Sequence, residues 1–134
     1  YPGAPELEVR SIVEPFTPFT IGDITLTPFR VLHGKLPILG FRSDKLAYIT
    51  DCSYLPDESK ALLSDLDVLV INALRHTPHP MHFTLAEALR LIEELQPRQA
   101  YLTHLSHEMG PVASFERTLP PHVHVAQDGM QISC

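Results

Sequence analysis

The chain holds only two cysteines, Cys52 and Cys134, so a disulfide framework is excluded. Both read as free thiols, which places the expected setting in a reducing, cytoplasmic compartment. No apolar run approaches the ~20 residues of a membrane span, so no membrane association is expected. No basic segment precedes an apolar core at the start, so no secretory leader is expected either. The first residue is Tyr1 and not Met, which points to a natural N-terminus further upstream. Positive charge is in short supply: Lys and Arg number 10 against 16 Asp and Glu, for a net charge of -6. That balance argues against a broad nucleic-acid surface, while leaving room for a small cleft that holds one phosphate. There is also no glycine-rich phosphate loop and no dinucleotide fingerprint.

What the chain does have is length for one domain or a substantial piece of one, at 134 residues. It is rich in proline (13) and histidine (8), and the prolines divide it into short elements. Leu7 to Val13 alternates like a half-buried strand. Phe19 to Ile21 and Ile24 to Thr27 read as a hairpin around Gly22-Asp23. A strand is expected from Phe29 to His33, with Pro28 at a bend or an edge, then a loop from Gly34 to Gly40. A second hairpin turns at Asp44-Lys45 into Leu46 to Thr50. Pro56 to Ser64 suits a short helix, and Asp67 to Ile71 a strand covered on both faces. A histidine-rich loop runs from Asn72 to Phe83. Thr84 with Glu87 forms a capping box for a helix from Leu85 to about Leu95, which Pro97 ends. Gln99 to Thr103 is the next strand. Val112 to Leu119 suits a weak helix. Val123 to Ala126 and Met130 to Ile132 suit a final hairpin around Asp128-Gly129. Hairpins followed by βαβαβ imply an α/β fold, with a mixed sheet flanked by helices.

Three of these β-prone runs end in residues able to hold a metal: Val31-Leu32-His33, AYITD at Asp51, and AYLTH at His104. Imidazoles with a carboxylate suit Zn²⁺, Mn²⁺ or Fe²⁺ better than Ca²⁺, and a carboxylate can bridge two cations. The competing reading is two surface histidines and a turn-forming aspartate. His82, just before the cap at Thr84, suits a general acid or a donor to a phosphoryl oxygen, or else a loop histidine bonded to a carbonyl. Arg42 and Arg75 offer forks for phosphate oxygens, with solvated surface charge as the alternative. His107 either reaches the same cleft or fixes its loop. Thr50 and Thr103 precede ligands and alternate away from them, as supporting groups. Gly34 and Gly40 suit tight turns or close backbone approach.

The order FRVLHG, GFR, YITDCSYLP, DVLVINALRHTPHPMHFTLAEAL, YLTHLSHEM, AQDGM closely resembles the C-terminal half of the metallo-β-lactamase fold. It is most similar to the phosphodiesterase branch, with its phosphoribosyl cyclic phosphate phosphodiesterases (PhnP-like proteins) and, more distantly, ribonuclease Z-like enzymes. The similarity runs from about residue 24 to residue 132. It implies one half of a four-layer αββα sandwich. It implies His33, Asp51 and His104 as metal ligands, Asp51 bridging two divalent ions (Zn or Mn), and His82 as general acid. His79, on the substrate side, and His107 and Asp128 fall at recognisable motif positions. The implied activity is hydrolysis of a small or cyclic phosphodiester by metal-activated water.

The family's diagnostic His-x-His-x-Asp-His cluster is absent, and HTPHPMH has the wrong order and no aspartate. Residues 1–134 are therefore expected to be the C-terminal portion of a longer hydrolase domain. Alone, the chain should hold a partial or empty metal site and expose one sheet face. The expected partner is the missing N-terminal half, on the same or another chain; a homodimer is the other way to cover that face. Two rivals remain at this level: a thioester or lactone hydrolase on the same fold, and a non-catalytic half-domain serving assembly.

Overall fold

A computed structural model describes residues 3, 8–12 and 15–133. Seven strands form one sheet in the order β1-β2-β3-β4-β5-β6-β7. They are Phe19–Ile21, Ile24–His33, Leu36–Ser43, Leu46–Ile49, Val68–Asn72, Gln99–Thr103 and Val123–Val125. The first four pair antiparallel, and β4 to β7 pair parallel. The sheet is therefore mixed, with hairpins in the first half and crossovers in the second. Helices α1 (Asp57–Lys60), α2 (Leu85–Leu95) and α3 (Val112–Phe115) lie in the three crossovers. Short 3-10 turns at Ala61–Leu63 and Glu116–Thr118 extend the first and third.

One face of the sheet packs under the helices. Phe29, Val31, Ala47, Ile49, Leu69, Ile71, Ala100 and Leu102 are fully buried there, in one cluster with Leu63, Ala88, Ile92 and Phe115. β5 is buried along its whole length, as its apolar run requires. Helix α2 starts where its sequence says it should. Thr84 accepts the Glu87 N–H and the Glu87 carboxylate accepts the Thr84 N–H, closing the capping box. Gln96 ends it in the left-handed conformation.

The opposite face carries an apolar and aromatic row across five strands. Pro28, Phe41, Tyr48, Val70 and Tyr101 are register partners from β2 to β6. Pro28 and Val70 are buried in this row, and Phe41 and Tyr101 are half-buried. Tyr48 is 46% exposed, and Ile21 and Ile24 beyond it are 63% and 57% exposed. A sheet with one finished and one unfinished face is half of a sandwich.

Several sequence expectations change. Gly34 to Gly40 is not a loop: Gly34-Lys35 alone makes the turn, with Gly34 at φ 62°, and β3 begins at Leu36. Pro28 is no bend either but lies inside one continuous ten-residue strand. It sits past the end of β1, where its carbonyl accepts the Phe16 N–H, so its missing N–H breaks no sheet pair. Met130 to Ile132 forms no strand; the chain turns at Asp128-Gly129 and leaves both side chains exposed. Three-residue β7 offers too short an edge to hold them. Residues 8–12 are exposed and outside any strand, while Leu7 and Val13, the ends of that expected strand, lie outside the described residues, as does Cys134. The helix at Val112 breaks into one α and one 3-10 turn.

Gly40 faces Phe29 across β2 and β3, and a Cβ there would stand 2.5 Å from the Phe29 ring. Gly40→Ala is expected to destabilise the fold by about 1–3 kcal/mol through overpacking. The urea midpoint would drop at unchanged slope. A midpoint equal to wild type would show that the ring can move aside at no cost.

Candidate metal centre

Strand direction assembles the site. β3 is antiparallel to both β2 and β4, so β2, β4, β5 and β6 all run the same way. Their C-terminal ends fall on one edge, where open α/β sheets place their ligands. His33 is the last residue of β2. Asp51 and His104 follow the ends of β4 and β6. Both turn into the left-handed region, at φ 54° and 57°. That conformation is uncommon for residues with a Cβ and recurs at functional sites.

The histidine-rich loop brings the fourth group. His82 Nε2 lies 3.0 Å from Asp51 Oδ1, and His104 Nε2 lies 3.1 Å from the same oxygen. The His82 and His104 rings stack at 4.9 Å, and His33 meets His82 edge-on at 4.8 Å. Ligand atoms of His33, Asp51 and His82 all lie within 4.8 Å of one another. His33 Nε2 is buried without a hydrogen-bond partner. A buried ring nitrogen left unpaired is costly unless something else binds it, and two imidazoles with a carboxylate are a donor set for Zn²⁺ or Mn²⁺. The residues present therefore fit a divalent cation. The cluster drawn tightest contains His82, expected as the acid, while His104 joins through Asp51.

Proton bookkeeping constrains His82. The Met81 N–H donates to His79 Nδ1 at 3.2 Å, so that nitrogen is an acceptor. His82 Nδ1, 3.1 Å away, must then donate to it. His82 Nε2 consequently faces the Asp51 carboxylate either with a second proton or with a lone pair available to a cation. Burial, His82 and Arg75 together hold His79 below the ordinary imidazole range, which suits its acceptor role.

The other expected residues are placed as follows. Arg42 sits at the opposite end of the sheet, where its guanidinium donates to the carbonyls of Leu62, Ser64 and Asp44. The register of β3 puts it there, next to the start of β4, so it is not brought to the cluster. Arg75 is nearer but engaged: it pairs with both Glu108 oxygens at 3.1 Å and donates to the Thr77 and Pro78 carbonyls. It shapes the histidine loop in this arrangement. His107 and Asp128 are exposed, and Thr50 and Thr103 half-buried. The Thr103 carbonyl accepts the Ala73 N–H, tying β6 to the chain leaving β5.

Two residues escaped the sequence reading. Asn72 is fully buried, and its amide bonds both the N–H and the carbonyl of Cys52 at 2.9 Å. Ser53 Oγ accepts the Gly34 N–H at 2.9 Å and donates to the Leu32 carbonyl at 3.1 Å, bracing both sides of His33. The signal for Asn72 was present: a lone carboxamide closes an otherwise apolar run, and a buried amide needs partners. Cys52 is a buried free thiol, its pKa pushed up to about 12 by burial, and is no nucleophile.

Comparison with known proteins agrees with this architecture. The model of the β-lactamase superfamily domain matches residues 4–105. A solved diphosphatase described as new and from the PhnP family is 36% identical, with a TM-score of 0.86, over 89% of this chain and 47% of its own. The metallo-β-lactamase fold protein YhfI of Bacillus subtilis is 22% identical, with a TM-score of 0.69, over 87% of this chain and 52% of its own. An octanoyltransferase of Porphyromonas gingivalis (strain ATCC BAA-308 / W83) is 36% identical over 132 residues, which are 98% of this chain and 27% of that protein. The chain thus spans about half the length of these solved structures and about a quarter of the curated relative.

The low pKa of His79 has a consequence for the metal-free protein. As pH falls below about 6.5, the unfolded chain takes the proton first, so this contribution to stability is complete above that pH and is lost as pH falls toward the folded value. His79→Gln should therefore lose less stability than wild type between about pH 7.5 and 5.5. Urea unfolding at both pH values checks this, and equal losses would contradict it.

Proposed function

The chain belongs to the β-lactamase superfamily domain family, in a metallo-β-lactamase fold closely related to PhnP-family proteins, and from that premise we propose that it carries the C-terminal part of a metal-dependent phosphodiesterase centre. The observation that carries the reading is the convergence of His33, Asp51, His82 and His104 on one sheet edge, with His33 Nε2 buried and unpaired.

In this reading His33, Asp51 and His104 would hold the divalent metal, Zn²⁺ or Mn²⁺, with Asp51 the carboxylate that could serve more than one ion. Such ions supply an activated water and charge stabilisation for displacement at phosphorus. His82 holds a proton at Nε2 for the departing alkoxide, and His79 keeps the ring turned that way. Arg75 and His79 line the substrate side of the histidine loop. Arg42 has no part in binding, since the register of β3 places it at the opposite end of the sheet. Ligands for a second ion come from outside this chain, as does the layer over the Phe41, Tyr48 and Tyr101 face. An N-terminal half with His-x-His-x-Asp-His would provide both. The substrate is a small or cyclic phosphodiester, in keeping with the acidic charge balance. The solved relative described as a diphosphatase supports a phosphorus centre over a thioester or lactone. Its name also makes a phosphoric anhydride the second substrate class to test.

The test uses the intact protein with Zn²⁺ or Mn²⁺ supplied. Turnover is compared on a cyclic phosphodiester, a bis-aryl phosphodiester, a diphosphate, a thioester and a lactone. Phosphodiester turnover, abolished by a chelator and restored by metal, is the expected result. Turnover of the thioester or lactone alone would reassign the chemistry, and no turnover with under one cation per subunit would mark a non-catalytic module. His82→Ala is expected to lower kcat by about 10²–10⁴-fold. An unchanged rate and pH profile would remove His82 from proton transfer.

A further inference from the structure

We propose that Asn72 positions Asp51, its buried carboxamide holding the Cys52 peptide so that the preceding aspartate is presented to the metal centre in a left-handed turn. The inference rests on Asp51 being a metal ligand, as proposed above.

The geometry is that of a strand pair continued by a side chain. Backbone pairing between β4 and β5 ends at Ile49 and Ile71. Beyond it β4 leaves the ladder, because Asp51 adopts φ 54°. Pairing resumes one residue later through Asn72: Oδ1 accepts the Cys52 N–H and Nδ2 donates to the Cys52 carbonyl, both at 2.9 Å. The orientation of the amide is forced, since the peptide offers one donor and one acceptor in those places. Asn72 has no exposure at all, so water does not compete for either bond. The same Cys52 carbonyl also accepts the Phe83 N–H at 2.8 Å, next to His82. The two peptides that flank Cys52 thereby link Asp51 to the chain at His82, and the side chains of the two meet at 3.0 Å.

A left-handed aspartate is disfavoured in isolation and persists only when its surroundings over-determine it. No other side chain bonds the Cys52 peptide among the described residues. An amide acting from behind a ligand in this way tunes metal affinity, where an ordinary core residue tunes only stability.

The test is made on the intact protein, with Zn²⁺ affinity measured by calorimetry. Asn72→Asp keeps the acceptor but turns a second oxygen against the Cys52 carbonyl, and Asn72→Ser removes both bonds. Each is expected to weaken Zn²⁺ binding by about 10–100-fold. Leu69→Ala, in the same strand but pointing under the helices, should lower the melting temperature yet leave Zn²⁺ affinity within about threefold. Asn72 variants that keep wild-type affinity, or a Leu69→Ala loss as large as theirs, would overturn the proposal. Should the Asn72 variants fail to fold, amide exchange in metal-free wild type decides: the Cys52 N–H should be as protected as the amides of β5, and exchange at the rate of an exposed loop overturns the clamp. A wild type that binds no metal would remove the proposed function and the metal role of Asn72 with it, while the Cys52 exchange would still show whether Asn72 holds the turn at Asp51.

Discussion

Four side chains from separate strands and loops meet here because one short segment, Cys52 to Tyr54, is hydrogen-bonded beside three of them. Ser53 and Tyr54 pair with Leu32, on the near side of His33, and Ser53 Oγ takes the Gly34 N–H on its far side. Cys52 bonds Phe83, which follows His82. Asn72 bonds Cys52 itself, and the next residue, Ala73, bonds Thr103 just before His104. Cys52 and Asn72 are fully buried, so the bonds between them are shielded from water and cannot be traded for solvent without leaving polar groups unpaired. Rigid backbone is thus spent on placing polar tips, which is what a metal centre requires.

Much of this was legible beforehand. The apolar run of β5, the capping box at Thr84 and the phrases ending in Asp51 and His104 each express a local rule: a buried strand, a helix start, a polar group at a strand end. What was not legible depends on pairing partners far away in sequence. Gly40 reads as a tight turn or a close approach until Phe29, eleven residues earlier, is seen pressing on it. Pro28 reads as a bend or an edge, and only the end of the β1 pairing at Leu26, two residues before it, decides for the edge. Arg42 reads as a phosphate ligand until the register carries it to the wrong end of the sheet. Asn72 could be read as an amide in need of partners, but not which partner, since Cys52 lies twenty residues away. Met130 and Ile132 carry a strand pattern, yet a pattern needs an edge to pair with, and β7 supplies only three residues.

The unfinished sheet face and the unfinished ligand set tell one story. The same sheet buries eight side chains under its helices and leaves Phe41, Tyr48 and Tyr101 in a row on its other side. Solved relatives extend to about twice the length matched here. A second layer would cover the aromatic row and stand over the edge where His33, Asp51 and His104 emerge, so fold completion and site completion would be the same event. The octanoyltransferase match, at 27% of that protein, places a unit of this kind within a much longer chain.

The most direct examination of this account is anomalous diffraction from crystals of the intact protein grown with Zn²⁺ or Mn²⁺. The account predicts metal density within bonding distance of His33, Asp51 and His104, with Asp51 shared between two peaks and His82 beside them on its own hydrogen bonds. Density confined to surface carboxylates, with His33 Nε2 still unbound at saturating metal, would contradict it.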